Sequence, residues 1–184
     1  MTMYFIALVL PDELNKKILY WKNFMHQQYH CSVGLKSPAH ITLVPPFWME
    51  EEREIELLQQ VDTISRNLNL FTIKTKNFSA FKPRTIFIDI EKNEELNEVK
   101  EIVDTFFKLN AFCKIKIDDR PFHPHITIAT RDLFKKSFYE AWPIFEKEKF
   151  EEEWQANGIS VLRHNKKNWD VIYTSQFPIN KSNS

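Results

Sequence analysis

His40-Ile41-Thr42-Leu43 recurs 85 residues later as His125-Ile126-Thr127-Ile128, and this pair decides how the chain is read. Only six histidines occur, at 26, 30, 40, 123, 125 and 164, so two of them heading near-identical apolar tetrads is a specific signal. Side chains alternate across a strand with period two, which puts His40 and Thr42 on one face and Ile41 and Leu43 on the other. The second copy divides in the same way, with Ile126 and Ile128 directed into a core. Two such strands about a pseudo-twofold axis bring two imidazoles and two hydroxyls to one small volume. A strand that merely starts with histidine and uses threonine for its β-branching would explain one copy. It does not explain matched surroundings for both.

Those surroundings extend over most of the chain. Tyr4–Val9, Thr85–Ile90 and Asp170–Phe177 read as short apolar strands. Asp12 offers a helix cap ahead of Leu14, Ile18, Trp21 and Met25, and Asn93 does the same ahead of Leu96, Val99, Val103 and Phe106. Each helix leads to one His-Ile-Thr strand. Further helical spacing covers Arg53 to Leu68 and Asp132 to Phe145, and long strands follow near Phe71–Phe81 and Trp154–Arg163. The order strand, helix, His-strand, helix, strand is thus run twice and closed by a last strand. The expected fold is α+β and bilobal, with two antiparallel sheets flanked by helices around a central cleft, all within one domain spanning 1–184.

Composition narrows the chemistry. Twenty-five Lys and Arg balance twenty-five Asp and Glu, so no overall field favours a long polyanion. Gly34 and Gly158 are the only glycines, which excludes a glycine-rich phosphate loop and leaves phosphate to side chains. Cys31 and Cys113 lack the spacing of a zinc set and read as free thiols. The opening apolar run stops at Pro11, well short of the ~20 residues of a membrane helix. The expectation is a cytoplasmic monomer without membrane contact, with fraying confined to Asn180–Ser184.

Paired His-x-Thr-apolar motifs, one per half, resemble the two-histidine (2H) phosphoesterase superfamily, which includes the 2'-5' RNA ligase-like proteins and cyclic nucleotide phosphodiesterases. The opening Tyr4-Phe5-Ile6-Ala7-Leu8-Val9-Leu10-Pro11 is similar to that family's first strand and turn, and the resemblance runs from about residue 3 to 178. It implies metal-independent hydrolysis or transfer at 2',3'-cyclic or 2'-5' phosphodiester bonds of nucleotides or RNA ends, with no cofactor. By position it makes His40 and His125 the catalytic pair and gives the phosphate to Thr42 and Thr127. An imidazole with an ordinary pKa of about 6.5 can act as base or acid, so two supply both roles. The sequence symmetry does not say which is which.

Other candidates follow from proximity to the motifs. His123 adds a third imidazole two residues before His125. Arg84 and Arg131 could neutralise a phosphate. Phe47, Trp48, Phe81, Phe87, Phe122 and Tyr173 include candidate base platforms, Phe47, Phe87 and Phe122 foremost, although core packing claims most aromatics. Two other classes stay open. One is a nucleotide- or phosphate-binding module with little or no turnover. The other is a metal site at His40, His123 and His125, for which the motifs supply no carboxylate or thiolate.

Overall fold

A computed structural model describes residues 1–110, 115 and 120–179. Cys113 and the tail from Asn180 lie outside that range. Among the described residues, eight strands form two four-stranded antiparallel sheets, and four α-helices pack on them. In the first sheet the order is β2 (His40–Met49), β1 (Thr2–Val9), β7 (Gly158–His164), β8 (Trp169–Gln176). In the second it is β5 (His125–Ala129), β4 (Thr85–Ile90), β3 (Phe71–Phe81), β6 (Glu153–Ala156). Both histidine strands therefore lie at sheet edges. Pro45 and Pro46 are compatible with β2 for that reason, since an edge strand can forgo a ladder donor.

The repeat is exchanged between the sheets. In the first repeat β1, α1 (Asp12–Tyr29), β2 and α2 (Glu54–Ser65) lead to β3, which pairs with β4 of the second sheet. In the second repeat β4, α3 (Glu94–Asn110), β5 and α4 (Lys135–Phe145) lead to β6 and β7, and β7 returns to pair with β1. The expected single strand over Trp154–Arg163 is thus two strands in different sheets. Asn157-Gly158 marks the break: the Asn157 carbonyl accepts from the Phe177 amide at 2.8 Å, and a Cβ on Gly158 would lie 2.6 Å from the Ser175 carbonyl. No side chain fits at that crossing.

Local signals mostly hold, with three corrections. Asn93 caps α3, its Oδ1 accepting from the Leu96 amide at 2.7 Å. Asp12 caps nothing; it is the first helical residue after Pro11, whose fixed φ suits that boundary. The helix expected over Arg53–Leu68 is shorter, at Glu54–Ser65. The helix expected from Asp132 begins instead at Lys135, because the Asp132 carboxylate is used elsewhere. Its Oδ2 accepts from the amides of Ser32 (2.6 Å) and Val33 (3.0 Å) and from the Ser32 hydroxyl.

That carboxylate ties the turn entering β2 to the turn leaving β5. Gly34 tightens the same junction, where a Cβ would stand 2.2 Å from the Ile128 carbonyl. Beneath it one apolar core joins both sheets, including Ile41, Leu43, Ile126 and Ile128, each at most 1% exposed. Among the described residues no helix is long and apolar enough to cross a membrane.

Candidate active site

Both tetrads show the alternation that their sequence requires. Along His40-Ile41-Thr42-Leu43 and along His125-Ile126-Thr127-Ile128, the polar residue is partly exposed and the aliphatic one buried at each step. Since β2 and β5 are edge strands held side by side, their polar faces open on common ground. Two cavities meet there and share Thr42. The first, of about 420 Å³, is lined by His40, Thr127 and Arg131 among others. The second, of about 330 Å³, is lined by His123, His125, Phe81, Phe122, Lys100 and Arg120.

The two imidazoles are fixed in the same way. His40 Nδ1–H donates to the Pro38 carbonyl at 2.7 Å, and His125 Nδ1–H donates to the His123 carbonyl at 2.7 Å. In each case the acceptor is two residues upstream. With Nδ1 carrying the proton, the neutral ring keeps its lone pair on Nε2, and the tautomer needed for proton exchange is set by backbone alone. Aromatic rings buttress both: Phe5 lies 4.8 Å from His40, while Phe87 and Phe81 lie 5.0 and 5.3 Å from His125.

Their electrostatic settings differ. Burial pushes His40 down to about 4; its bond to Pro38 opposes this, and the charges of Lys22 and His125 add to it. Burial also pushes His125 below the ordinary histidine range, but there the His123 carbonyl and the Asp89 carboxylate pull upward against the His123 ring. Asp89 Oδ1 also lies 3.1 Å from His123 Nε2. His40 is the imidazole more firmly kept neutral.

Lys22 was not suggested by the sequence, where it sits among the polar residues of α1. It is only 3% exposed, and its Nζ donates to the Ser37 carbonyl at 3.0 Å. Burial brings its pKa down to about 8. Asn15 on the same helix accepts from the Ala39 amide at 2.9 Å. Helix α1 thereby grips both sides of Pro38, whose carbonyl orients His40.

The remaining sequence candidates separate. Arg131 lines the His40-side cavity, with φ at 53° at the end of its strand turn. His123 and Phe122 line the other cavity, where Lys100 lies over the Phe122 ring at 5.6 Å and pairs with Asp104. Arg84 is exposed in the β3–β4 turn and borders neither cavity. Phe47 is 7% exposed and packs on Tyr4, so it is a core residue rather than a base platform. Phe87, at 1% exposed, is likewise unable to stack a base and serves as the floor beneath His125 and His123. Tyr173 instead donates to Asp62 Oδ1 at 2.7 Å. Asp89, Lys22, Phe5, His164 and Trp169 are the site residues that sequence reasoning missed. Of these only His164 had a signal, as one of the six histidines. Among the described residues no group of three or more metal-ligating side chains is gathered.

Comparison with known proteins agrees with this architecture. A model of the 2'-5' RNA ligase superfamily matches residues 10–168. A Bacillus subtilis protein named RNA 2',3'-cyclic phosphodiesterase is 24% identical over 141 residues, 70% of each chain. A Geobacillus sp. (strain WCH70) protein, named only to the level of phosphoesterase, is 28% identical over 121 residues. In that relative and the Bacillus pumilus one, the match spans 65–66% of the relative's length. TT0787 of Thermus thermophilus superposes with a TM-score of 0.68 at 20% identity, covering 95% of this chain and 97% of that one. Escherichia coli LigT, solved with 3'-AMP, does so with a TM-score of 0.66 at 15% identity, covering 97% and 99%. At those identities the likeness is one of fold. The extent of the family match is decisive: the chain belongs to the 2'-5' RNA ligase superfamily of two-histidine phosphoesterases.

Proposed function

We propose that the protein is a metal-independent phosphodiesterase acting on 2',3'-cyclic or 2'-5' phosphodiester bonds of nucleotides or RNA ends. The observation that carries this reading is the matched pair of Nδ1–carbonyl bonds, which leave two imidazole Nε2 atoms on adjoining edge strands with a threonine beside each. In the proposed reaction His40 Nε2 takes a proton from water as its oxygen bonds to phosphorus. His125 Nε2–H gives its proton to the departing ribose oxygen, whose bond to phosphorus breaks. Thr42 and Thr127 donate to the non-bridging oxygens, and Arg131 offers compensating charge where negative charge grows. The lower affinity of His40 for protons favours it as base.

The name of the Bacillus subtilis relative supports cyclic phosphate as the first substrate to try. Incubating the purified protein with adenosine 2',3'-cyclic phosphate in excess chelator should yield a single monophosphate isomer. Tight binding of the nucleotide without any product would replace this reading with a nucleotide-binding module. Activity lost in chelator and restored by a divalent metal would overturn the metal-independent mechanism.

A further inference from the structure

The His40 side of the site has far more room than an attacking water requires. A water occupies about 30 Å³, whereas this cavity measures about 420 Å³, within the size range of small-molecule pockets. Its outer wall is aromatic. His164 and Trp169 pair across the β7–β8 ladder with ring centroids 4.9 Å apart; Trp169 meets Phe5 edge-on at 4.7 Å, and Phe5 meets His40 at 4.8 Å. Four rings thus run from the hairpin tip to the site. Phe5 is buried at 3%, while Trp169 and His164 are half-buried and line the cavity. The hairpin itself is braced by Asn165, whose Oδ1 accepts from the amides of Lys167 (3.0 Å) and Asn168 (2.7 Å) and whose amide donates to the Asn168 carbonyl (2.9 Å).

We infer that this cavity is a nucleoside subsite, in which a base stacks on the Trp169–His164 wall while its sugar reaches toward His40. The inference rests on the phosphodiester reading above. In-line displacement places entering and leaving oxygens on opposite sides of phosphorus, and when a ribonucleoside diester is cleaved by its own 2'-hydroxyl the departing 5'-oxygen takes the place beside His40 that the entering water takes in hydrolysis of the cyclic phosphate. With phosphate held at Thr42, common to both cavities, one ester arm enters the His125 side and the other the His40 side. The preferred ligands are therefore diesters bearing a nucleoside on each arm, and a mononucleotide fills only half of the site. A wall of packed rings suits this task because stacking on a preordered aromatic surface costs little side-chain entropy and tolerates any base.

The probes are dApdA, which lacks the hydroxyl needed for internal cleavage, and 3'-dAMP, titrated into the intact protein and followed by calorimetry and by the Trp169 indole N–H resonance. The dinucleotide should bind roughly 5- to 100-fold more tightly than the mononucleotide, the worth of one stacked base, and it alone should shift the Trp169 resonance. Trp169→Ala should abolish that advantage while leaving 3'-dAMP affinity within about twofold, and Trp169→Phe should retain most of it. Equal affinities, an unmoved indole, equal losses for both ligands in Trp169→Ala, or no binding of either would overturn the subsite. Adenosine 2',3'-cyclic phosphate assayed in parallel keeps the two readings apart. Turnover without a dinucleotide advantage removes the subsite alone, and a dinucleotide advantage without turnover leaves the subsite and removes the enzyme.

Discussion

Asp89 stands directly across the β4–β5 ladder from His125, in the position that Val9 occupies across β1–β2 from His40. The two halves of the site are equivalent in backbone and unlike in charge. A carboxylate beside one imidazole helps it hold a proton, and an aliphatic neighbour gives the other no such help. In the proposed mechanism this difference is the physical basis for making His125 the acid and His40 the base.

Replacing either histidine by alanine should lower turnover of the cyclic phosphate by roughly 10² to 10⁴, the usual worth of one positioned proton donor or acceptor. The double variant should be scarcely slower than the worse single one, because groups acting as a unit are not additive. Steady-state rates for the three proteins test this, and an unimpaired single variant would remove that residue from the site.

The pH profile of kcat/KM should be a bell displaced to the acid side. Its ascending limb reflects loss of the proton from His40, near pH 4, and its descending limb loss of the proton from His125, below the ordinary 6.5. Asp89→Asn removes the group that pulls His125 upward and should move the descending limb further toward acid. His123→Ala removes a group that pushes it downward and should move the same limb toward alkali. Limbs that stay fixed in both variants would show that His125 does not control the descent.

Thr42→Val and Thr127→Val keep the branched shape and remove a donor to the phosphate. Each should cut kcat/KM roughly tenfold to a hundredfold, the equivalent of a hydrogen bond to a charged group. The shape of the pH profile should survive, since neither titrating ring is altered. A displaced limb in either variant would assign the hydroxyl a part in proton transfer.

Lys22→Met should yield a more stable and slower protein. Burial depresses the lysine from 10.5 to about 8, so its protonation favours the unfolded chain. Stability is then fullest above pH 10.5 and declines as pH falls toward 8, a loss of up to about 3 kcal/mol at neutral pH. Thermal unfolding should show the wild type gaining Tm between pH 8 and 10 and the variant staying flat. Turnover should fall because the turn that orients Pro38 loses its clamp, and the ascending limb should move upward with the departure of a nearby positive charge. A variant with unchanged kinetics would confine Lys22 to packing.

The motif faces were legible because strand periodicity is strictly two, so that placing His40 on the open face forces Ile41 and Leu43 inward. The helices were legible from their buried spacing. What stayed hidden depended on pairing between distant segments. Asp89 acquires its meaning only from the β4–β5 register, and His164 with Trp169 only once β7 and β8 fold back on each other. Phe47 and Phe87 misled because a ring suits a core as well as a base platform, and proximity in sequence to the motif does not tell which face it occupies. The run Trp154–Arg163 read as one strand since Asn157-Gly158 is a brief interruption in an otherwise strand-forming stretch.

The exchange of β3 and β7 between sheets sets an order on assembly during synthesis. β1 is made well before its inner neighbour β7, which spans Gly158–His164, so the sheet carrying His40 stays open along one side until β7 has left the ribosome. The second sheet can pair β3 with β4 as a local hairpin much earlier. Contacts of such long sequence separation form late and slowly. The half that carries His125 can therefore nucleate first, and neither half of the duplicated unit is a self-sufficient folding module: cutting the chain between the repeats would leave each fragment holding a strand that belongs to the other.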